Sequence, residues 1–197
     1  MADPIRSICV FCGSASGHRP EYAAVARELG GLLAARGIGI VYGGGHVGMM
    51  GQVADAALAA GGNVVGVIPE HLMRPEIAHQ RLSELHVVES MHVRKRTMAA
   101  RADAFIVLPG GYGTFEEMFE MVTWLQLQLQ AKPVGVVNCL GYFDHLLVFL
   151  RHAAAEGFVR PQHRELLLVD ATPARVLERL IERKASAGAA GSDLGRT

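Results

Sequence analysis

The part of the chain best suited to chemistry is a glycine-rich segment that runs into two adjacent carboxylates. Residues 109–117 read Pro-Gly-Gly-Tyr-Gly-Thr-Phe-Glu-Glu, after a short apolar run and before an apolar-rich segment typical of a helix. A strand, a glycine-rich turn and a helix direct several backbone N–H groups to one place, where the helix dipole favours an anion. Glycines let a phosphate approach the backbone, and we expect Thr114 to cap the helix and offer its hydroxyl. The pattern predicts a phosphate-binding turn.

Glu117 follows this turn, about one helical turn into the predicted helix. Acidic residues are common in the first turn of a helix because they suit the dipole, and this explanation covers Glu116 as well. A phosphate cradle alone, however, needs no carboxylate beside it. The combination indicates a site that binds a phosphate and does chemistry on the molecule that carries it.

A basic cluster, residues 92–96, precedes the next apolar run. Such clusters are commonly solvated surface or RNA-binding patches, but neither fits the neighbouring Met91, Met98 and alanines, which are typical of a helix packed on a sheet. This helix leads directly into the strand that ends at Pro109. Its start should therefore lie near the carboxyl end of the sheet, where Arg94 could face the phosphate turn.

A second glycine-rich turn, Tyr42–Gly48, contains the spacing G-x-G-x-x-G after a strand. It allows a dinucleotide-binding interpretation, with Glu70 as the ribose partner, and an oxidoreductase that uses NAD(P). The usual fingerprint lies on the first strand, whereas this one lies on the second, and a close-packed strand-to-helix turn explains it equally well. We expect this turn to form the floor of the same pocket, through Gly44 and Gly45, together with Gly13 and Ser14 of the first turn.

Continuously apolar runs alternate with helical patterns along the whole chain, which is typical of a parallel sheet covered on both faces. The order predicts a single α/β domain over residues 1–184, a Rossmann-like doubly wound parallel sheet with helices on both faces. We expect the Gly/Ala/Ser-rich residues 185–197 to form a disordered tail. The predicted strands are Ser7–Cys12, Gly39–Tyr42, Val64–Ile68, Leu85–Val88, Ala104–Leu108, Val134–Val137 and Leu166–Val169, and the predicted helices are Glu21–Arg36, Met49–Ala60, His92–Arg101, Thr114–Gln128, Phe143–Glu156 and Pro173–Lys184.

Composition argues against several classes of protein. The 19 basic and 19 acidic residues balance, so no net field favours nucleic acid or an anionic membrane as a partner. There is no run of 18 apolar residues and no signal-peptide pattern, so we expect a cytoplasmic protein. Nine histidines show no metal-ligand spacing, and no metal site is predicted. Cys9 and Cys12 have redox-motif spacing, but on a strand they should point to opposite faces, as buried structural thiols like Cys139.

The predicted helix Thr114–Gln128 is apolar on nearly all sides. A helix on one side of a sheet needs only one apolar stripe, and the surplus indicates a second buried face. A helix deep in a monomer core is the alternative, but it suits so small a domain less well. We therefore expect a homodimer formed through this helix.

These residues resemble the LONELY GUY family of cytokinin riboside 5′-monophosphate phosphoribohydrolases, which have often been labelled lysine decarboxylases. The resemblance covers nearly the whole chain and is strongest where two motifs occur together at the right separation. They are Pro109-Gly110-Gly111-x-Gly113-Thr114-x-x-Glu117 and the preceding Met91-His92-x-Arg94-Lys95; Phe11–Ser14, Tyr42–Gly45, Gly48 with Gly51, and Ile68-Pro69 before Glu76 also match.

The resemblance implies a Rossmann-like dimer that hydrolyses the N-glycosidic bond of N6-substituted AMP, giving free base and ribose 5-phosphate without a pyridoxal or other cofactor. It implies that Arg94 and Glu117 are the catalytic pair. Carried over by motif position, the nucleotide contacts are Glu76, Arg94, Lys95, Gly111, Tyr112, Gly113, Thr114, Phe115, Glu116, Glu117 and Thr123.

The residue types agree with this chemistry. Cleavage of a ribosyl C1′–N bond passes through a cation-like sugar, which a carboxylate stabilises while it orients or deprotonates water. We expect the helix dipole to keep Glu117 ionised, and Arg94 to fix Glu117, the sugar or the phosphate. A nucleotide-binding or sensing module without hydrolysis stays open as the alternative. Lysine decarboxylation has no support from the residues, while the preferred N6 group and the use of plain AMP stay open.

Overall fold

The computed structural model describes residues 4–74 and 77–193, with side chains as far as residue 187. Within these ranges seven strands form one parallel sheet in the order β4-β3-β2-β1-β5-β6-β7. The strands are β1 Ser7–Phe11, β2 Gly39–Tyr42, β3 Val64–Pro69, β4 Glu84–Val88, β5 Ala104–Val107, β6 Val134–Val137 and β7 Leu167–Asp170. The helices are α1 Pro20–Ala35, α2 Gly48–Ala59, α3 Met91–Ala100, α4 Tyr112–Gln126, α5 Asp144–Ala155 and α6 Pro173–Asp193.

Two apolar cores lie on opposite faces of the sheet. One core packs α1, α2 and α6 against the face that includes Ile8 and Cys12, and the other packs α3, α4 and α5 against the face that includes Cys9 and Phe11. The prediction that the first two cysteines diverge is therefore confirmed. The Rossmann-like doubly wound fold is also confirmed, because every strand pair is parallel and helices cover both faces.

The strand order reverses between β1 and β5, which are neighbours although three strands separate them in sequence. In open α/β sheets the crevice outside the carboxyl ends of the strands at such a reversal is the usual ligand site. The turn after β1 and the turn after β5 meet there, since the N–H of Gly13 donates to the carbonyl of Pro109 at 3.1 Å. The topology thus places the two predicted turns side by side.

The chain departs from the predicted elements mainly at its end. Helix α6 continues to Asp193, past Lys184, where the sequence predicted the start of a disordered tail. Alanine has the highest helix propensity, and four alanines lie between 185 and 190, so composition alone underestimated the helix. Residues 194–197 of the predicted tail lie outside the described residues. No helix in the described part of the chain is long and apolar enough to span a membrane.

Candidate active site

Arg94 and Glu117 form a nearly buried ion pair between α3 and α4. Nη1 of Arg94 donates to Oε1 of Glu117 at 2.9 Å, and the side chains are only 11% and 10% exposed. The arginine is also held by β3, because its Nε donates to the carbonyl of Val67 at 3.1 Å. Ser90 caps α3 by accepting from the N–H of Val93. The sheet and two helices therefore fix the guanidinium against the carboxylate.

Gly43, the first glycine of the G-x-G-x-x-G spacing, makes room for this arginine. A Cβ atom at position 43 would lie 2.1 Å from Nη2 of Arg94, far inside van der Waals contact. The glycine is thus required by a side chain of the protein. Sequence reasoning left both a close-packed turn and ligand contact open for this segment, and it missed the role of Gly43 because position 94 is 51 residues further along the chain.

The phosphate turn has the geometry of an anion site, with one correction. Helix α4 begins at Tyr112, and its N-cap is Gly111, without a side-chain cap. Thr114 is therefore not the cap: it is buried in the first turn, and its Oγ1 would lie 2.1 Å from a Cβ at position 110. Gly111, Tyr112 and Gly113 are exposed, and the first N–H groups of a helix lack intrahelical acceptors. These exposed N–H groups are therefore left for an acceptor from outside the helix.

Burial governs the charge of Glu117. Desolvation raises the pKa of its carboxyl above the usual value of 4.5, while the positive charge of Arg94 opposes the rise. We expected the helix dipole to hold the carboxylate ionised, whereas burial is the largest influence on its pKa. Glu117 is the sixth residue of α4, beyond the first turn in which the dipole acts, and it points into the protein. The result is a carboxyl group whose pKa lies nearer neutrality.

Lys95 joins a second set of charges beside this pair. Its buried Nζ donates to Glu116 and lies 3.1 Å from Oε2 of Glu120. Burial lowers the pKa of Lys95, but hydrogen bonds and charge from the two glutamates outweigh it and raise the pKa above its usual value of 10.5. The lysine is therefore held as an ammonium group, one helix position from Arg94.

The residues predicted to form the pocket floor divide into two groups. Ser14 is exposed beside the phosphate turn, and Gly13 is buried under it. Gly44 and Gly45 are buried and are covered by a later segment: the N–H of His79 donates to the carbonyl of Gly44 at 2.9 Å, and Gly45 pairs with Ala78. These two glycines therefore lie under the segment that contains Ala78 and His79. Glu76, three residues before His79, lies outside the described residues.

The contacts recorded for Phe115 and Thr123 do not involve the ion pair. Phe115 packs edge-on against Phe143, with ring centroids 6.4 Å apart. Thr123 donates to the carbonyl of Phe119 at 2.7 Å and faces a groove of about 670 Å³, which we call the α4–α5 groove. Its lining includes Phe119, Val122, Thr123, Leu147, Leu150 and Val169. Within one chain, the structure does not bring Thr123 to Arg94 and Glu117.

The site has a further residue that sequence reasoning missed. The hydroxyl of Tyr142, in the loop after β6, donates to the carbonyl of Gly110 at 2.5 Å. No local pattern marks Tyr142, since the contact spans 32 residues.

In the part of the chain that is described, no group of three or more His, Cys, Asp or Glu side chains could hold a metal ion.

The chain is similar to known proteins over most of its length. A family model described as "Possible lysine decarboxylase" matches residues 50–180. The "Probable cytokinin riboside 5'-monophosphate phosphoribohydrolase LOGL9" of Oryza sativa subsp. japonica is 52% identical over 163 residues, covering 83% of this chain and 72% of the relative. The "Cytokinin riboside 5'-monophosphate phosphoribohydrolase LOG7" of Arabidopsis thaliana is 49% identical over 177 residues, covering 90% and 81%.

Solved structures share the fold at lower identity. The molybdenum cofactor carrier protein of Chlamydomonas reinhardtii superposes with a TM-score of 0.68 at 23% identity, covering 91% of this chain and 98% of that one. A molybdenum cofactor binding protein from Rippkaea orientalis gives 0.66 at 22% identity, covering 91% and 96%. At these identities the similarity concerns the fold alone.

Proposed function

Because this chain belongs to the LONELY GUY family of phosphoribohydrolases, we propose that it hydrolyses the N-glycosidic bond of N6-substituted AMP. The products are the free base and ribose 5-phosphate. The observation that carries the proposal is the buried Arg94–Glu117 pair beside the exposed N-terminus of α4. The relatives supply the substrate class, and the geometry supplies a carboxylate next to an anion site.

In the proposed reaction, water attacks C1′ of the ribose as the C1′–N bond breaks. The base leaves with the electron pair of that bond and takes up a proton, and water loses a proton as its oxygen bonds to C1′. Glu117 stabilises the positive charge that develops on the sugar and accepts the proton of water. A carboxyl whose pKa is raised by burial is a stronger base when ionised than an exposed one. Arg94 holds this carboxylate in place.

The phosphate of the substrate binds at the N-terminus of α4. Open N–H groups at Gly111, Tyr112 and Gly113 and the helix dipole supply the attraction. Binding there fixes the distance from the phosphate to Glu117, which lies on the same helix, and thus positions C1′ for reaction. Nucleosides without the phosphate should therefore react poorly.

Lysine decarboxylation, which the description of the family model suggests, fits the site less well. A decarboxylase that uses pyridoxal phosphate forms a Schiff base through an uncharged lysine amine. The lysine at this site, Lys95, is paired with Glu116 and Glu120, and its pKa is raised rather than lowered. Lys132 and Lys184 lie near Asp103, at the amino ends of the strands.

The protein further forms a homodimer through α4 and α5. Apolar side chains line the α4–α5 groove, and Val148 and Phe149 of α5 are 53% and 62% exposed. A monomer with so much adjacent apolar surface is unusual, and a second copy would cover it. Light scattering should give a dimer mass for the wild-type protein and a monomer mass for Val148→Asp. The matched change Val87→Asp, on the similarly exposed edge strand β4, should leave the dimer intact; a dimer in both variants would refute this interface.

A cytoplasmic location is supported by the cysteines. Cys9, Cys12 and Cys139 are free, buried thiols, as is usual for proteins of reducing compartments. Fluorescence of a tagged protein in the source cell would test the location.

Product analysis tests the main proposal. The purified protein is incubated with AMP, with isopentenyladenosine monophosphate and with the unphosphorylated riboside, and free base is measured by chromatography. Base from a monophosphate with little from the riboside would support hydrolysis and its dependence on phosphate. Tight binding of both monophosphates without release of base would instead indicate a nucleotide-binding module that does not hydrolyse its ligand.

A further inference from the structure

Tyr142 makes a long-range contact with the phosphate turn. Its hydroxyl donates to the carbonyl oxygen of Gly110, the residue before the N-cap of α4. The proposed mechanism above does not use this tyrosine. A hydroxyl that binds the backbone of a ligand-binding turn can control where the turn directs its own donors.

The position of the hydroxyl is well fixed. The side chain of Asn138 accepts from the N–H of Phe143 at 2.8 Å and donates to Asp144 at 2.7 Å, which closes the loop after β6. The ring of Tyr142 packs edge-on against Phe143, with centroids 4.9 Å apart, and against Tyr22 of α1, at 5.7 Å. Two aromatic rings therefore pack against Tyr142, and its hydroxyl is held toward the turn by the hydrogen bond to Gly110.

We propose that Tyr142 is a positioning residue that orients the Gly110–Gly111 peptide so that the N–H of Gly111 binds the substrate phosphate. In a trans peptide the carbonyl and the N–H point in opposite directions, and no cis peptide occurs in the described residues. Holding the Gly110 carbonyl toward Tyr142 therefore turns the Gly111 N–H away from it. A Cβ at position 111 would meet no atom within 4 Å, so space beside this glycine is open to an anion.

The glycines of the turn explain why such a brace is useful. Glycine has the widest backbone freedom, and Gly110 and Gly111 are adjacent. Thr114 and Gly13 restrict Gly110, since its Cβ position is filled by their atoms, whereas no atom lies within 4 Å of the Cβ position of Gly111. The hydroxyl of Tyr142 supplies a fixed contact to the peptide between them. The order of the anion site then comes from the loop after β6 as well as from α4.

This inference rests on the proposed function, because it concerns the phosphate of the same substrate. Tyr142→Phe removes the hydroxyl and keeps the ring. Loss of one neutral hydrogen bond should weaken binding of AMP and of inorganic phosphate by roughly three- to tenfold. The KM for the monophosphate should rise by a similar factor, with a smaller change in kcat. Adenosine, which has no phosphate, should bind the variant and the wild type equally.

Tyr22→Phe is the matched control. It removes the hydroxyl from the ring that packs on Tyr142, and in the described residues the Tyr22 hydroxyl makes no hydrogen bond to the turn. Calorimetric titration with inorganic phosphate, AMP and adenosine, together with thermal unfolding, compares the three proteins. We expect loss of phosphate and AMP affinity in Tyr142→Phe only.

The outcomes separate the two proposals. If the wild-type protein binds neither AMP nor phosphate, the proposed function is wrong at its phosphate site. If the wild type binds both and Tyr142→Phe binds them equally well, the inference about Tyr142 is overturned and the proposed function is untouched. An equal loss in Tyr22→Phe, or an equal loss for adenosine, would also overturn it, because either result would indicate a general role of the aromatic cluster.

Discussion

Two carboxylates at opposite ends of the parallel strands show how differently one protein treats the same chemical group. Asp103 precedes β5 at the amino ends of the strands. Its Oδ2 accepts from the N–H groups of Arg6 and Ser7 at 2.8 and 3.1 Å, and its Oδ1 accepts from Lys184 at 3.1 Å. Glu117 lies at the carboxyl ends of the strands, and its hydrogen-bond partner in the described residues is Arg94. Asp103 is satisfied on both oxygens, whereas Glu117 keeps acceptor capacity.

The pKa values of the two groups move in opposite directions. Burial raises the pKa of Asp103, but the hydrogen bonds from Arg6 and Lys184 outweigh it and lower the pKa below 3.8. Burial also raises the pKa of Glu117, and there the opposing charge of Arg94 does not outweigh it. A carboxylate that joins β1, β5 and α6 needs full hydrogen bonding. The proposed catalytic carboxylate is incompletely satisfied, and it lies at the carboxyl ends of the strands, where ligands bind in open α/β sheets.

Glu117→Gln should have the largest effect. The amide keeps the shape and a hydrogen bond to Arg94 but removes the charge that stabilises the cation-like sugar, so turnover should fall by roughly 10²- to 10³-fold while AMP binding persists. Single-turnover assays and calorimetry measure the two quantities. Asp103→Asn, the equivalent carboxylate-to-amide change at the amino ends of the strands, should keep turnover within about twofold. Comparable losses of turnover in both variants would show that the two carboxylates do not differ in function.

Gly43→Ala should be the next largest. The added methyl group would occupy the position of the Arg94 guanidinium, which must move away from Glu117. A displacement of about 1 Å can cost about 10²-fold in rate. Gly39→Ala, at the start of the strand β2 that precedes Gly43, is the control, since its Cβ would meet ordinary contacts of 3.7 Å or more. Full turnover in Gly43→Ala would mean that the position of Arg94 is unimportant.

The pH dependence of turnover should report Glu117. If the ionised carboxylate is required, turnover falls as pH drops through its pKa, with a limiting slope of about tenfold per pH unit. Because burial raises that pKa, the midpoint of this acid limb should lie above 4.5. Profiles of kcat/KM for a monophosphate, restricted to pH values at which circular dichroism shows a folded protein, provide the measurement. A midpoint below 4.5 would contradict the assignment.

Stability should report Asp103, with the smallest effect. Its folded pKa is lowered, so its contribution is present above its unfolded pKa near 3.8 and is lost as pH falls through the folded value. Asp103→Asn should therefore reduce the free energy of unfolding by about 1 kcal/mol at neutral pH and by progressively less below 3.8. Urea unfolding at several pH values tests this. A difference between variant and wild type that does not change with pH would rule out the ionic contribution.

Patterns local in sequence were sufficient for much of the fold. Continuous apolar runs predicted the parallel strands because both faces of the sheet are covered, and the structure confirms them to within one or two residues. The position of Arg94 was inferred from connectivity, since the helix that precedes β5 must begin near the carboxyl ends of the strands. The structure places Arg94 in contact with Glu117 of α4, the helix that follows the glycine-rich turn.

Two expectations depended on how near a residue lies to the start of α4. Thr114 has the residue type of a helix cap, but the helix begins two residues earlier and the side chain packs against Gly110. Glu117 is close enough in sequence to suggest control by the dipole, yet burial sets the direction of its pKa. In both cases tertiary packing outweighed a local preference.

The sequence by itself determined the order of elements, the two faces of the sheet and the position of the glycine-rich turn before α4, because these depend on periodicity and residue type. Tertiary structure alone decided which atoms share one place. The space that Gly43 leaves for Arg94, the hydroxyl of Tyr142 on Gly110 and the pKa of Glu117 all arise from contacts between segments far apart in the chain. Distance, burial and charge compensation exist only after folding, and so they cannot be read from spacing along the chain.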